Sequence, residues 1–195
     1  GGGANPLIDM DFIEKHGLQY YVFDISAPEL AKADPRYRKV EFDITADEET
    51  FRAAKLRTDF DLVFSHMMME HVQEPLKAHA NFARLLRPGG LSVHMYPSKY
   101  NFPLFVNTLM PEALSLRILP LLQPNRKQEG NEGKFVAFYK YCGPPSRKLA
   151  SVLHGAGFEV QQHTAYVGHR YYKRIKPLAF VEKLLRKLIL AAHIP

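Results

Sequence analysis

The chain has 195 residues, 46% hydrophobic, 12% aromatic and 24% charged, with one cysteine, Cys142. That composition supports one sizeable core in a single domain, excludes long disorder and internal disulfides, and suits a reducing compartment, so a cytoplasmic location is expected. The formal net charge of +6 is concentrated between Arg170 and Lys187, where seven basic residues stand against the single acid Glu182; the remainder is neutral, and a nucleic-acid surface, which would be spread over a face of the domain, is not expected.

The chain opens Gly1-Gly2-Gly3-Ala4-Asn5-Pro6, and glycines let a ligand approach the backbone closely. Next comes Tyr20-Tyr21-Val22-Phe23-Asp24, which reads as a strand ending in a carboxylate. Asp24 stands about 20 residues past the glycines, the spacing at which a carboxylate can hold ribose hydroxyls. It can equally cap the following helix, a role for which Ser26 competes. Lys39-Val40-Glu41-Phe42-Asp43 and Phe60-Asp61-Leu62-Val63-Phe64-Ser65 read as the second and third strands.

A helix then places Val72, Leu76, Ala80, Ala83 and Leu86 near the helical period, with Gln73, Glu74, Lys77 and Arg84 facing away. Glu70 and His71 fit its start, where an acidic side chain favours the positive end of the helix dipole, and Gly89 and Gly90 stop it. A fourth strand, Leu91 to Tyr96, follows. Residues 97–149 break the rhythm with scattered prolines and apolar pieces, and read as an insertion. A fifth strand, Phe158-Glu159-Val160, is expected after Gly155-Ala156-Gly157. The basic tail, residues 170–192, forms an amphipathic helix with Leu178, Val181, Leu184, Leu185 and Leu188 on one stripe. Such a helix either packs on the domain or lies on an anionic membrane. Strands alternating with helices imply a doubly wound α/β fold, a parallel sheet covered on both faces.

In such a sheet ligands bind beyond the carboxyl ends of the strands. Asp24, Asp43, Ser65 and His66 all fall there. The histidines His66, His71 and His94, with Tyr96 and Tyr100, are the candidate proton acceptors near a substrate entrance. Met67, Met68 and Met69 read either as an apolar substrate wall or as ordinary packing.

The run from Phe60 to Val72, with Glu70-His71-Val72, and the run Leu85-Leu86-Arg87-Pro88-Gly89-Gly90 together resemble the small-molecule class I S-adenosylmethionine-dependent methyltransferases, Rossmann-like enzymes. The resemblance extends from Gly1 to about Tyr96, and more loosely to the turn before Phe158. It implies S-adenosyl-L-methionine as cofactor. Gly1 and Gly3 then become the first glycines of the cofactor loop, and Asn5 stands where the family has a third glycine. Asp24 accepts from the ribose hydroxyls and Ile25 packs on the adenine. Asp43 accepts from the adenine amino group, Ile44 supplies a backbone N–H, and Ser65 and His66 line the methionine portion. His71 is the candidate catalytic base. Some ubiquinone-pathway members carry a glutamate three residues before the Glu-His pair, forming a metal cluster; Met67 stands there, so no metal is expected.

Residues 97–149 occupy the place of the family's substrate-covering lid. Phe102, Phe105, Leu109, Ile118 and Leu121 would suit a sugar, lipid-linked or aromatic acceptor methylated on oxygen or nitrogen. The resemblance also calls for a strand before the glycines and a last antiparallel strand after the C-terminal helix. Neither falls within the sequence, so both are expected to be missing from this chain, leaving unpaired edges on the strands at Tyr20–Asp24 and Phe60–Ser65. Two other functions compete. A NAD-dependent oxidoreductase would share the glycines and Asp24, but an intact G-x-G-x-x-G is lacking. A non-catalytic module would keep the fold and use its basic helix at a membrane surface.

Overall fold

A computed structural model describes residues 2–98, 136–166 and 176–191. The chain falls into two compact units: residues 1–97, 137–142 and 148–160 form the first, and 98–136, 143–147 and 161–195 the second. In the first unit the order is α1 (Met10–Lys15), β1 (Tyr21–Asp24), α2 (Ala27–Lys32), β2 (Arg38–Glu41), α3 (Glu48–Ala53), β3 (Phe60–His66), a 3-10 turn (Met69–His71), α4 (Pro75–Leu85), β4 (Leu86–Met95) and α5 (Arg147–Gly155). The strand and helix alternation read from the sequence is present, and its pairings are parallel.

Those pairings form two ribbons. β1 pairs with β2 in the register Tyr21 to Arg38 and Asp24 to Glu41, and β3 pairs with β4 from Leu62–Leu91 to His66–Met95. Among the described residues β1 and β3 share no backbone ladder. Aromatic side chains meet there instead: Phe60 lies edge-on to Tyr21 at 5.2 Å and to Phe23 at 6.1 Å, and Tyr20 reaches Phe64 at 6.0 Å.

Three expectations are corrected. The long helix does not begin at Glu70–His71: these residues form the separate 3-10 turn, and α4 starts at Pro75, whose fixed φ suits a first helical position. It ends at Leu85, before the glycines, because Leu86 is already extended. The stretch Arg87–Gly90 then bulges between Phe60–Leu86 and Leu62–Leu91, held by Arg87 Nε donating to Asp61 Oδ1 at 2.6 Å. Phe158–Val160 is not a strand. The Phe158 N–H is spent on Leu153 O at 3.1 Å and the Gly157 N–H on His154 O at 2.9 Å, the paired bonds that close a helix C-terminus.

The buried face of α4 also differs from the predicted stripe. Leu76 is 43% exposed, whereas Ala78, Asn81, Phe82 and Leu85 are buried. Met69, Val72, Ala78, Phe82 and Cys142 form the core cluster, with Val63, Tyr96 and Phe158 against it. Burial, with Glu70 nearby, pushes the Cys142 thiol up to about 12, so it is an inert core residue. The opposite face of the β3–β4 ribbon carries Leu62, Leu91, Val93 and Met95, all largely exposed.

The described helix of the second unit is α6 (Lys176–Ala191), within the predicted amphipathic region. No described helix is long and apolar enough to cross a membrane.

Candidate cofactor and active site

The carboxyl ends of β1 and β2 bring together the N-terminal glycines, Asp24 and Asp43. Gly2 N–H donates to Phe23 O at 2.9 Å, laying the glycines along the end of β1. A Cβ on Gly2 would overlap Val22 Cγ1, and Gly3 has a φ of +22° with its missing Cβ only 3.2 Å from Asp24 Oδ2. Gly2 was not singled out by the motif, yet it is the glycine whose packing admits no side chain. Gly1 lies outside the described residues, and Asn5 is exposed.

Asp24 is half-buried at the last position of β1. Its Oδ2 accepts from Gly3 N–H and its Oδ1 from Ser26 N–H, both at 2.9 Å. The competition for the cap is resolved: Ser26 caps α2, its Oγ accepting from Glu29 N–H at 3.3 Å. Each Asp24 oxygen retains a lone pair, so the carboxylate can still receive two hydroxyls. Beside it Ile25 is 66% exposed, an apolar side chain held at the lip of the strand ends.

The two strand ends are tied together by Phe42 N–H donating to Asp24 O at 2.9 Å. Asp43 follows, exposed, with Oδ1 accepting from Thr45 N–H at 2.8 Å and Thr45 Oγ1 at 2.7 Å. Ile44 packs partly against the core. The arrangement is an acceptor pair at the ends of adjacent strands, beside the N-terminal glycine segment and flanked by an apolar side chain. It fits a nucleoside with vicinal hydroxyls and an amino group.

At the end of β3 the side chains diverge. His66 is exposed, but Ser65 Oγ sits 2.8 Å from His94 Nδ1, while Ser92 Oγ sits 2.7 Å from His94 Nε2. His94 is therefore not on a substrate loop. It lies within β4, stacked on Phe82 at 4.7 Å and edge-on to His79 at 5.3 Å. Burial, reinforced by His79, pushes His94 down to about 3, and burial pushes His79 down to about 4. Both are neutral near pH 7, and their burial and low basicity make them poor proton acceptors for a substrate.

His71 is 36% exposed, with Nε2 3.8 Å from Glu70 Oε1. Glu70 is buried, its carbonyl accepting from Phe138 N–H at 2.7 Å and Tyr139 N–H at 3.1 Å, while its Oε2 has no hydrogen-bond partner. Burial raises its carboxyl above the usual range. Met67, in the left-handed region at φ 55°, is exposed, whereas Met69 is core. Tyr100 and most of the predicted lid, residues 99–135, lie outside the described residues.

A family model described as "Methyltransferase domain" matches residues 1–163. No curated protein matches the chain. Among solved structures, an S-adenosylmethionine-dependent methyltransferase from Mesorhizobium loti is similar at 20% identity and a TM-score of 0.42, over 52% of this chain and 46% of that protein. A SAM-dependent methyltransferase from Archaeoglobus fulgidus aligns over 97% of this chain and 76% of its own, at 11% identity and a TM-score of 0.51. The latter likeness is one of fold.

Proposed function

The chain belongs to the methyltransferase-domain family and has a Rossmann-like α/β fold, and on that premise we propose that it is a class I S-adenosylmethionine-dependent enzyme that methylates an oxygen or nitrogen of a small molecule. The acceptor class proposed is sugar, lipid-linked or aromatic. When bound, S-adenosylmethionine supplies an electrophilic methyl group on a sulfonium. The observation that best supports this reading is Asp24, whose two oxygens each keep acceptor capacity beside the glycine segment tied to the end of β1.

Asp24 holds the ribose, Ile25 covers one adenine face, and Asp43 with the Ile44 N–H reads the adenine edge. The glycine segment from Gly1 through Gly3 to Asn5 borders the amino-acid end, and His66 with the Ser65 backbone lies at the methionine portion. His71 takes the acceptor's proton, residues 97–149 cover the acceptor, and the enzyme works in the cytoplasm. Calorimetric titration of the chain with S-adenosylmethionine and, separately, NAD tests the reading. Heat is expected with the former; heat with NAD alone would transfer the site to an oxidoreductase.

A second reading concerns α6. Phe180, Leu184 and Leu188 recur along one helical stripe and are 69%, 50% and 58% exposed, and Lys183, Arg186 and Lys187 are exposed beside them. An exposed apolar stripe flanked by cations is suited to an anionic bilayer surface. The chain is expected to co-sediment with vesicles rich in phosphatidylserine and not with phosphatidylcholine vesicles. Binding should weaken about 100-fold on neutralising Lys183, Arg186 and Lys187, each worth about 1 kcal/mol near such a surface; equal sedimentation with both vesicles would reject an electrostatic contact.

A further inference from the structure

α4 turns one polar side chain entirely into the interior, toward the loop after β2. Asn81 is 0% exposed. Its Nδ2 donates to Ile44 O and to Ala46 O, both at 2.8 Å, and its Oδ1 accepts from Arg84 Nη1 at 2.7 Å. With two carbonyls on one side and a guanidinium on the other, only one orientation of the amide satisfies the site. Arg84 continues outward to Glu48 Oε2 at 3.0 Å, and its guanidinium lies 5.8 Å above the Phe51 ring. Helix α4 is thereby fastened to the loop between β2 and α3.

The Ile44–Thr45 peptide connects this fastening to the candidate site. In a trans peptide the carbonyl and the N–H point in opposite directions, and the described residues contain no cis bonds. The Ile44 carbonyl faces Asn81 in the interior, so the Thr45 N–H faces outward, where it donates to Asp43 Oδ1 at 2.8 Å. One rigid plane is thus held at its inner end by a buried amide and grips an exposed carboxylate at its outer end. Hydrogen bonds in such a series polarise one another. Oδ1 of Asp43 is occupied by Thr45, which leaves Oδ2 to face a ligand.

We propose that Asn81 is a positioning residue that sets base specificity: by fixing residues 44–46 it aims Asp43 Oδ2 and the Ile44 N–H at the edge of a 6-aminopurine. The inference rests on the reading of Asp43 and Ile44 as the adenine-binding pair. A 6-amino group donates to the carboxylate while the neighbouring ring nitrogen accepts from the N–H. A 6-oxopurine reverses both, setting an acceptor against Asp43 and a ring N–H against the Ile44 N–H. A loop released from Asn81 can swing the carboxylate away and accommodate either base, so discrimination falls.

S-adenosylhomocysteine and S-inosylhomocysteine differ only in that group, and calorimetric titration of both against the wild-type chain, Asn81→Ser, Arg84→Met and Asp43→Ala provides the test. Asn81→Ser is expected to shrink the adenine-to-hypoxanthine affinity ratio about tenfold, the equivalent of one neutral hydrogen bond. Arg84→Met, which keeps both amide donors but removes the Oδ1 partner together with the Glu48 and Phe51 contacts, should shrink it by less. A purely structural role for Asn81 would weaken both ligands equally, and an unchanged ratio in Asn81→Ser would overturn the proposal. Should Asn81→Ser not fold, an unchanged ratio in Arg84→Met does the same. An unchanged ratio in Asp43→Ala would instead remove the adenine-binding reading itself, whatever Asn81 does.

Discussion

Replacing Asp24 by alanine is expected to weaken S-adenosylmethionine binding by about 100-fold, close to 3 kcal/mol, the loss that follows when two hydroxyls lose a charged acceptor. The carboxylate also accepts from Gly3 N–H and Ser26 N–H, so part of the loss comes from a glycine segment no longer tied to the end of β1. Asp24→Asn gives an intermediate case. Its single carbonyl oxygen keeps one acceptor and its amide adds a donor facing the Gly3 or Ser26 N–H, so both tether and ribose contact are impaired but not abolished, and about a tenfold loss is expected. Titration calorimetry of the three forms, with thermal unfolding of each without ligand, measures both quantities. Affinity unchanged in Asp24→Ala would reject the ribose assignment.

Acidification below pH 6.5 is expected to destabilise the fold steeply, through His79 and His94. In the unfolded chain each imidazole protonates near its ordinary value of 6.5; in the native state His79 resists down to about 4 and His94 to about 3. The native state therefore binds fewer protons across that window. Its stability is full above pH 6.5 and falls as pH drops toward 4. For His79 alone the displacement corresponds to about 3 kcal/mol at full protonation of the unfolded chain, against a total of about 5–15 kcal/mol for an ordinary domain. Glu70 acts in the opposite sense, since its raised carboxyl favours the native state below its ordinary value and opposes it as pH rises through the native one. Urea midpoints between pH 7.5 and 4.5 follow the balance. His79→Phe, whose ring would sit among Phe82, His94 and Phe158, should lose less stability on acidification than the wild type. Parallel curves for the two would show that His79 does not carry the effect.

Much of the candidate site is legible in the sequence because its logic is local. β1, β2 and β3 each declare themselves by aromatic and β-branched runs, and in a parallel sheet the polar residue that ends such a run falls on the ligand side. Asp24 and Asp43 followed from that rule, and the order of the Glu-His and Pro-Gly-Gly motifs identified the family. Ser65 was found by position, but its hydroxyl is turned to His94, a partner from the neighbouring strand that only the β3–β4 register supplies. Acidic residues favour helix starts, which points Glu70 to the start of α4; the Phe138 and Tyr139 N–H groups that dock on its carbonyl come from a segment far along the chain.

Sequence by itself determined the fold class, the strands β1 to β3 and the carboxylates of the candidate site at the ends of β1 and β2, because strand periodicity and the acidic residue closing each run depend on near neighbours. Tertiary structure alone decided which face of α4 is buried, that Gly2 packs too tightly for any side chain, and that Asn81 lies inside the protein. Hydrophobic periodicity ranks asparagine with the solvated residues. It becomes a core residue only where carbonyls bring it acceptors, and for Asn81 these belong to Ile44 and Ala46, 37 and 35 residues away.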